Sequence, residues 1–209
     1  MDNTTDTGAP PVIGVMAVAY RRPGPLKVLI QCFLNQTASN WTLTVIHDGP
    51  DDEFAQIMQG CLVPGKIEGY CTGARHSDFG HTLRAIGIEQ ATSDYLLLTN
   101  DDNYYVPKFI EILSGEIQQT QADVILFDMV HSYDRPGGRP QPSYSYFQTH
   151  LSRWNIDMGA AVVRTSLAKA AGFRDRSYDG DATYFEDVLR VGGPATKVHK
   201  LDRVLFVHN

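Results

Sequence analysis

The feature that most constrains this chain is an eight-residue run at positions 12–19, VIGVMAVA. It is far shorter than the roughly 18 apolar residues of a membrane span. A continuous, β-branched apolar run of this length reads as a strand buried on both faces. Such a strand needs cover on each side, and the residues that follow supply it. After Tyr20-Arg21-Arg22, Pro23 and Pro25 open a helix, where missing N–H groups cost nothing. Leu26, Leu29, Ile30, Phe33 and Leu34 recur on one face of that helix. A second strand at 43–46 ends at His47-Asp48-Gly49-Pro50, and Asp51 and Asp52 then stand where a helix N-terminus favours carboxylates, before a helix over 53–59.

The alternation continues with a strand at 67–71, a helix at 81–91 and a buried strand at 95–99, YLLLT. A helix then starts at Pro107, with Phe109, Ile110, Leu113 and Ile117 on one face, and a strand follows at 124–130. Four strand–helix alternations predict an α/β fold with a mostly parallel central sheet flanked by helices. Residues 131–150 break the pattern with a Pro- and Gly-rich loop around 135–140 and an aromatic stretch, Tyr144 to Phe147. Beyond lie a strand at 160–164, helices at 166–171 and 181–191, and a last strand at 204–207.

Length suits a single domain over 12–209 behind a flexible tail, 1–11, that lacks the cationic start and apolar stretch of a signal peptide. Eighteen Lys+Arg against 24 Asp+Glu give a net charge of -6, which disfavours nucleic acid as the main ligand. Three cysteines without a Cys-x-x-Cys fit a reducing compartment, and no stretch reads as a transmembrane segment, so the expected location is cytoplasmic.

In open α/β sheets ligands bind at the carboxyl ends of the strands. The first strand is followed by neither Gly-x-Gly-x-x-Gly nor Gly-x-x-x-x-Gly-Lys-Ser/Thr, so neither a dinucleotide Rossmann site nor a P-loop is supported. The strand ends carry Tyr20-Arg21-Arg22, Asp48 and Asp101-Asp102-Asn103. Adjacent carboxylates at the mouth of a buried strand call for a cation or hydrogen bonds. Oxygen ligands suit Mg2+ or Mn2+. An Asp/Asn-rich turn is the plain alternative.

The stretch from His81 through Arg84, Gly87 and Asp94 to Asp101-Asp102-Asn103 and Pro107 resembles a signature of the family-2 glycosyltransferases with the GT-A fold, a Rossmann-like nucleotide-diphospho-sugar transferase fold. Ala19-Tyr20-Arg21-Arg22-Pro23 and Val45-Ile46-His47-Asp48-Gly49 are similar to two further motifs of that family. The Asp-Asp-Asn form and the string Gly180-Asp181-Ala182 are similar to those of its bacterial spore-coat polysaccharide member. The resemblance covers about residues 12–208 and implies a nucleotide-binding part over 12–105 and an acceptor-side part over 106–209. It implies inverting transfer of a sugar from a nucleoside diphosphate donor, UDP foremost, to the hydroxyl of a glycan or other acceptor, with Mn2+ or Mg2+.

By position it implies that Tyr20 and Asp48 hold the base, that Arg84 faces the diphosphate, that Asp101 meets the ribose and that Asp102 ligates the metal. Asp157 matches a position beside the donor sugar or acceptor, and His208 a further metal ligand. The general base falls on Asp181, with Asp187 in reserve. The sequence has Ala85 where the family often has Asn, Asn103 where many members have Asp, and Asp187 where Arg is common. From the residues alone, Arg84 reads equally as a surface side chain, Asp181 as a helix cap, Asp157 as a polar loop residue and His208 as a solvated terminal group. Two other functions stay open: a sugar-1-phosphate nucleotidyltransferase, and a non-catalytic nucleotide- or glycan-binding module of a larger synthase.

Overall fold

A computed structural model describes residues 9–132 and 144–209. The first eight tail residues and the loop expected around 135–140 lie outside the described residues. The chain runs β1 (Ile13–Ala19), α1 (Pro23–Leu34), β2 (Trp41–His47), α2 (Asp52–Cys61), β3 (Ile67–Cys71), α3 (His81–Gln90), β4 (Tyr95–Asn100) and β5 (Tyr104–Tyr105). It continues with α4 (Phe109–Thr120), β6 (Val124–Ser132), β7 (Tyr144–Phe147), β8 (Ala161–Arg164), α5 (Thr165–Ala171), α6 (Gly180–Gly192) and β9 (Val198–His208).

All seven residues of β1 are buried, and they alternate between two cores. Ile13, Val15, Ala17 and Ala19 join the first, under Leu29 and Phe33 of α1, Phe54 of α2 and Phe109 and Leu113 of α4. Met16 and Val18 join the second, under Leu83 of α3, Ala168 of α5 and Tyr184 and Val188 of α6. The result is helix, sheet, helix, as a strand apolar at every position demands.

Strands stand in the order β3-β2-β1-β4-β8-β6-β9-β5, with β7 paired to β6. β1, β2, β3 and β4 run parallel. β8 lies antiparallel between β4 and β6, and β9 returns parallel to β6. The aromatic stretch after the loop is therefore an edge strand: Tyr146 opposes Val130 and Phe147 opposes Met129. The last strand is longer than its apolar run, eleven residues rather than four, and is irregular opposite Asp128.

Helix α3 sits very close to β1. A Cβ on Gly87 would come within 2.3 Å of Cγ of the buried Met16 side chain, so helix or side chain must shift. Gly87→Val is therefore expected to destabilise the fold by about 2 kcal/mol, which for a chain of this size lowers Tm by roughly 4–8 °C. An unchanged melting curve by circular dichroism would contradict this packing.

Candidate active site

The carboxyl ends of β1, β2 and β4 open together because their register is level: Ala17 faces both Val45 and Thr99. The backbone carries the alignment past the strand ends, where Asp48 N–H donates to Ala19 O at 2.9 Å and Asp101 N–H to Val18 O at 3.0 Å. Tyr20, Asp48, Asp101 and Asp102 are thus brought to one edge, as the strand ends predicted.

Asp101 is wholly buried. One carboxylate oxygen accepts the Tyr20 N–H at 3.2 Å, and the other lies 2.5 Å from the Arg22 guanidinium, which also grips Asp102. Burial pushes the Asp101 carboxyl up to about 7 against the pull of Arg22, and the neighbouring Asp102 adds to the rise. Asp102 is raised by burial too, with Arg22 and His208 opposing. Its Oδ1 is buried and has no hydrogen-bond partner. Asn103 turns away and donates to Thr99 Oγ1 at 3.1 Å. This leaves Asp102 as the residue of the triplet suited to a cation.

Asp48 has a task that sequence reasoning did not foresee: its oxygens accept the N–H groups of His76 and Ser77, at 2.7 and 3.1 Å. It thereby fixes the loop between β3 and α3. That loop carries Arg75, whose guanidinium lies 4.0 Å from the centre of the Tyr20 ring.

Arg84 is no surface side chain; it is 2% exposed. It donates to Asn100 Oδ1 at 2.6 Å, Phe79 O at 2.8 Å and His81 Nδ1 at 3.1 Å. His81 in turn meets Ser177 O through Nε2 at 2.9 Å, so the proton sits on Nε2. Burial first, and the Arg84 charge second, push His81 down to about 4 and keep it neutral.

Asp181 is not the helix cap; Asp179 takes that position, and Asp181 lies within the first turn of α6. Its Oδ1 is buried and unpartnered. Burial raises its carboxyl to about 6, with Arg84 opposing and the Asp157 charge adding to the rise. Asp157 caps a single-turn 3-10 helix, Met158–Ala160, by accepting Gly159 N–H at 2.7 Å. Its other oxygen meets His208 Nε2 at 3.0 Å. Burial works against the charged Asp157, but His208, the Gly159 N–H and the Arg84 charge together hold that carboxyl below the usual range. The His208 ring stacks on His131, centroids 4.5 Å apart.

His208 thus meets Asp157 directly through Nε2, and its charge also reaches Asp102. The reserve base Asp187 is taken up by Arg174 at 2.6 Å and Arg190 at 3.0 Å, hydrogen bonds that hold its carboxyl low. It is six residues along α6 from Asp181, on another face of the helix. Among the described residues, no three His, Cys, Asp or Glu are grouped to hold a metal ion. No helix there is long and apolar enough to cross a membrane.

A model of glycosyl transferase family 2 matches residues 15–176. The chain belongs to glycosyl transferase family 2. No curated protein matches it. Among solved structures, S. aureus TarS 1–349 aligns with a TM-score of 0.74 at 16% identity, over 95% of this chain and 60% of that one. A longer S. aureus TarS structure gives 0.73 at 16% identity, over 95% of this chain and 36% of that one. TarS 1–349 in complex with UDP-GlcNAc gives 0.71 at 17% identity, over 94% and 58%. At such identities the likeness shows the fold, the GT-A fold, and this family-2 chain spans less than two thirds of those proteins. The family match includes Tyr20, Asp48, Arg84, Asp101, Asp102 and Asp157, and stops short of Asp181 and His208.

Arg22 was the residue sequence reasoning missed, and it yields a prediction. Because the folded-state carboxyl of Asp101 is raised, the folded chain binds more protons than the unfolded one between about pH 4 and pH 7, and this group's effect is that stability falls as pH rises. Arg22→Gln removes the opposing charge, so its deficit against wild type is expected to grow as pH rises through 7 and beyond. Urea unfolding of both proteins from pH 5 to 9 measures this, and a deficit independent of pH would contradict it.

Proposed function

We propose that this chain transfers a sugar, with inversion, from a nucleoside diphosphate donor, UDP foremost, to an acceptor hydroxyl. The observation that carries the proposal is Asp181: a carboxylate with a raised affinity for protons and one buried, unpartnered oxygen, under the electrostatic influence of Arg84 and Asp157. Family membership supports a glycosyltransferase, and S. aureus TarS is known in complex with UDP and with UDP-GlcNAc.

In this reading residues 12–105 form the donor side. Tyr20 offers a ring face to the base beside Asp48, Asp101 meets the ribose, and Arg84 supplies positive charge beneath the diphosphate. The residues fit a divalent cation modestly: Asp102 offers one unpartnered buried oxygen, the kind of single carboxylate that Mg2+ or Mn2+ accepts when phosphates and water complete its shell. Bound there, such an ion would offset charge on the departing diphosphate. Residues 106–209 form the acceptor side. Asp181 takes the proton of the acceptor hydroxyl as its oxygen attacks the anomeric carbon, and the bond from that carbon to the diphosphate breaks. Arg84 and the Asp157–His208 pair balance the charges around Asp181 before and after it is protonated.

Asp181→Asn is expected to leave UDP affinity near wild type and to cut kcat by about 10²–10⁴-fold. Near-wild-type turnover with UDP-GlcNAc in this variant would remove the base from Asp181. A base must be deprotonated to act, so kcat/KM of the wild type is expected to climb as pH rises through about 6. A flat profile between pH 5 and 7.5 would contradict that assignment.

A further inference from the structure

Three large aromatic side chains stand in solvent on segments tied to one another or to α6: Phe79 at 62% exposure, Trp154 at 69% and Tyr178 at 72%. Each belongs to a short segment that leads into a site residue. Phe79 precedes α3 and gives its carbonyl to Arg84. Trp154 is three residues before Asp157, and Tyr178 three before Asp181. His81 Nε2 meets Ser177 O at 2.9 Å, which joins the Phe79 segment to the Tyr178 segment. Arg153 pairs with Glu186 at 2.7 Å and Asp179 at 3.6 Å, which joins the Trp154 segment to α6. Phe79 and Tyr178 already meet edge to face, centroids 5.8 Å apart at 81°.

Folding gains little from these rings. Phe79 and Trp154 sit on left-handed backbone, φ 61° and 73°, a conformation bulky residues avoid. Each accepts that strain while leaving an aromatic face in water, a combination that singly scattered exposed apolar residues do not show. An exposed ring beside carboxylates suits a ligand with both an apolar face and hydroxyl groups. A pyranose ring has both: a C–H face for an aromatic π-system and hydroxyls for carboxylates such as Asp157 and Asp181. A linear polyol or an acyclic phosphate ester offers no such face.

We propose that Phe79, Trp154 and Tyr178 form a stacking platform for a pyranose ring of the acceptor, which makes the acceptor a carbohydrate. The proposal rests on Asp181 as the base, because the platform places the hydroxyl that Asp181 deprotonates.

The test uses the full chain with saturating UDP, titrated with methyl β-D-glucopyranoside, methyl N-acetyl-β-D-glucosaminide and cellobiose, and with ribitol and glycerol 3-phosphate as ring-free probes. Trp154 is the exposed member of only two tryptophans, so intrinsic fluorescence follows binding, and saturation-transfer NMR shows which sugar protons touch protein. At least one pyranoside is expected to bind with saturation strongest on its ring C–H protons. Tyr178→Ala and Phe79→Gly are expected to weaken it at least tenfold, with the Kd for UDP unchanged. Phe79→Gly is also expected to raise Tm, since glycine accepts the left-handed backbone. Pyranoside affinity unchanged in both variants, binding of the ring-free probes alone, or a fall in Tm for Phe79→Gly would overturn the platform. Failure of UDP to bind wild type counts against the donor site instead. The sugar titration is then read on the unliganded chain, where equal binding by wild type and variants overturns the platform.

Discussion

Two carboxylates buried side by side at the mouth of β4, and the single arginine that answers them, are what the rest of this structure serves. Asp101 and Asp102 cannot both lose water and keep their charge without a cation nearby. Arg22 reaches them from the end of β1 because Val18 and Asn100 are partners in register across the parallel β1–β4 pair. A one-residue slip in that pairing would turn every side chain of β4 to the other core and separate the three groups. What opposes the slip is side-chain size: Met16 packs at Gly87 on one face, while Val15 and Ala17 fill the other core. Packing in the middle of the sheet thus sets electrostatics at its edge.

A second charge cluster is built on the other face of the same edge. Arg84, buried in α3, is aligned by Asn100 from β4, while Asp157 and His208 come from the 3-10 turn before β8 and the end of β9. Asp181 completes the set from α6. Its neighbours pull both ways on its proton: burial and the Asp157 charge hold it on, Arg84 and His208 draw it off. Such a balance near neutrality is what a proton acceptor in group transfer requires. The strained, solvent-facing aromatics, Phe79 and Trp154, belong to segments that lead into residues of this second cluster.

The elements that a strong periodic signal marks were legible in the sequence, and the ones that depend on distant partners were not. β1 and β4 were read to within a residue because both faces of each are apolar. Only the last apolar stretch of β9 was visible, since Lys200, Asp202 and Arg203 interrupt its first half. Two-residue β5 exists only through its pairing with β9 and leaves no periodicity to read. In the site, Asp48, Asp101 and Asp102 stood out in the sequence because they follow strand ends. Arg22 was not given a role, because its partners lie about eighty residues away and only the sheet brings them together. Arg84 read equally as a surface side chain, a reading its burial excludes. Asp48 was read toward a ligand, and its grip on the backbone of the β3–α3 loop could not be seen from letters alone.

The most direct test is calorimetric titration of UDP into wild type and Asp102→Ala, each with and without Mn2+, at constant pH. UDP is expected to bind wild type more tightly with Mn2+, and Asp102→Ala is expected to lose that metal-dependent gain while remaining folded. Equal UDP affinity in all four titrations, or no binding of UDP to the wild type, would contradict a donor site built on the Asp101–Asp102 pair.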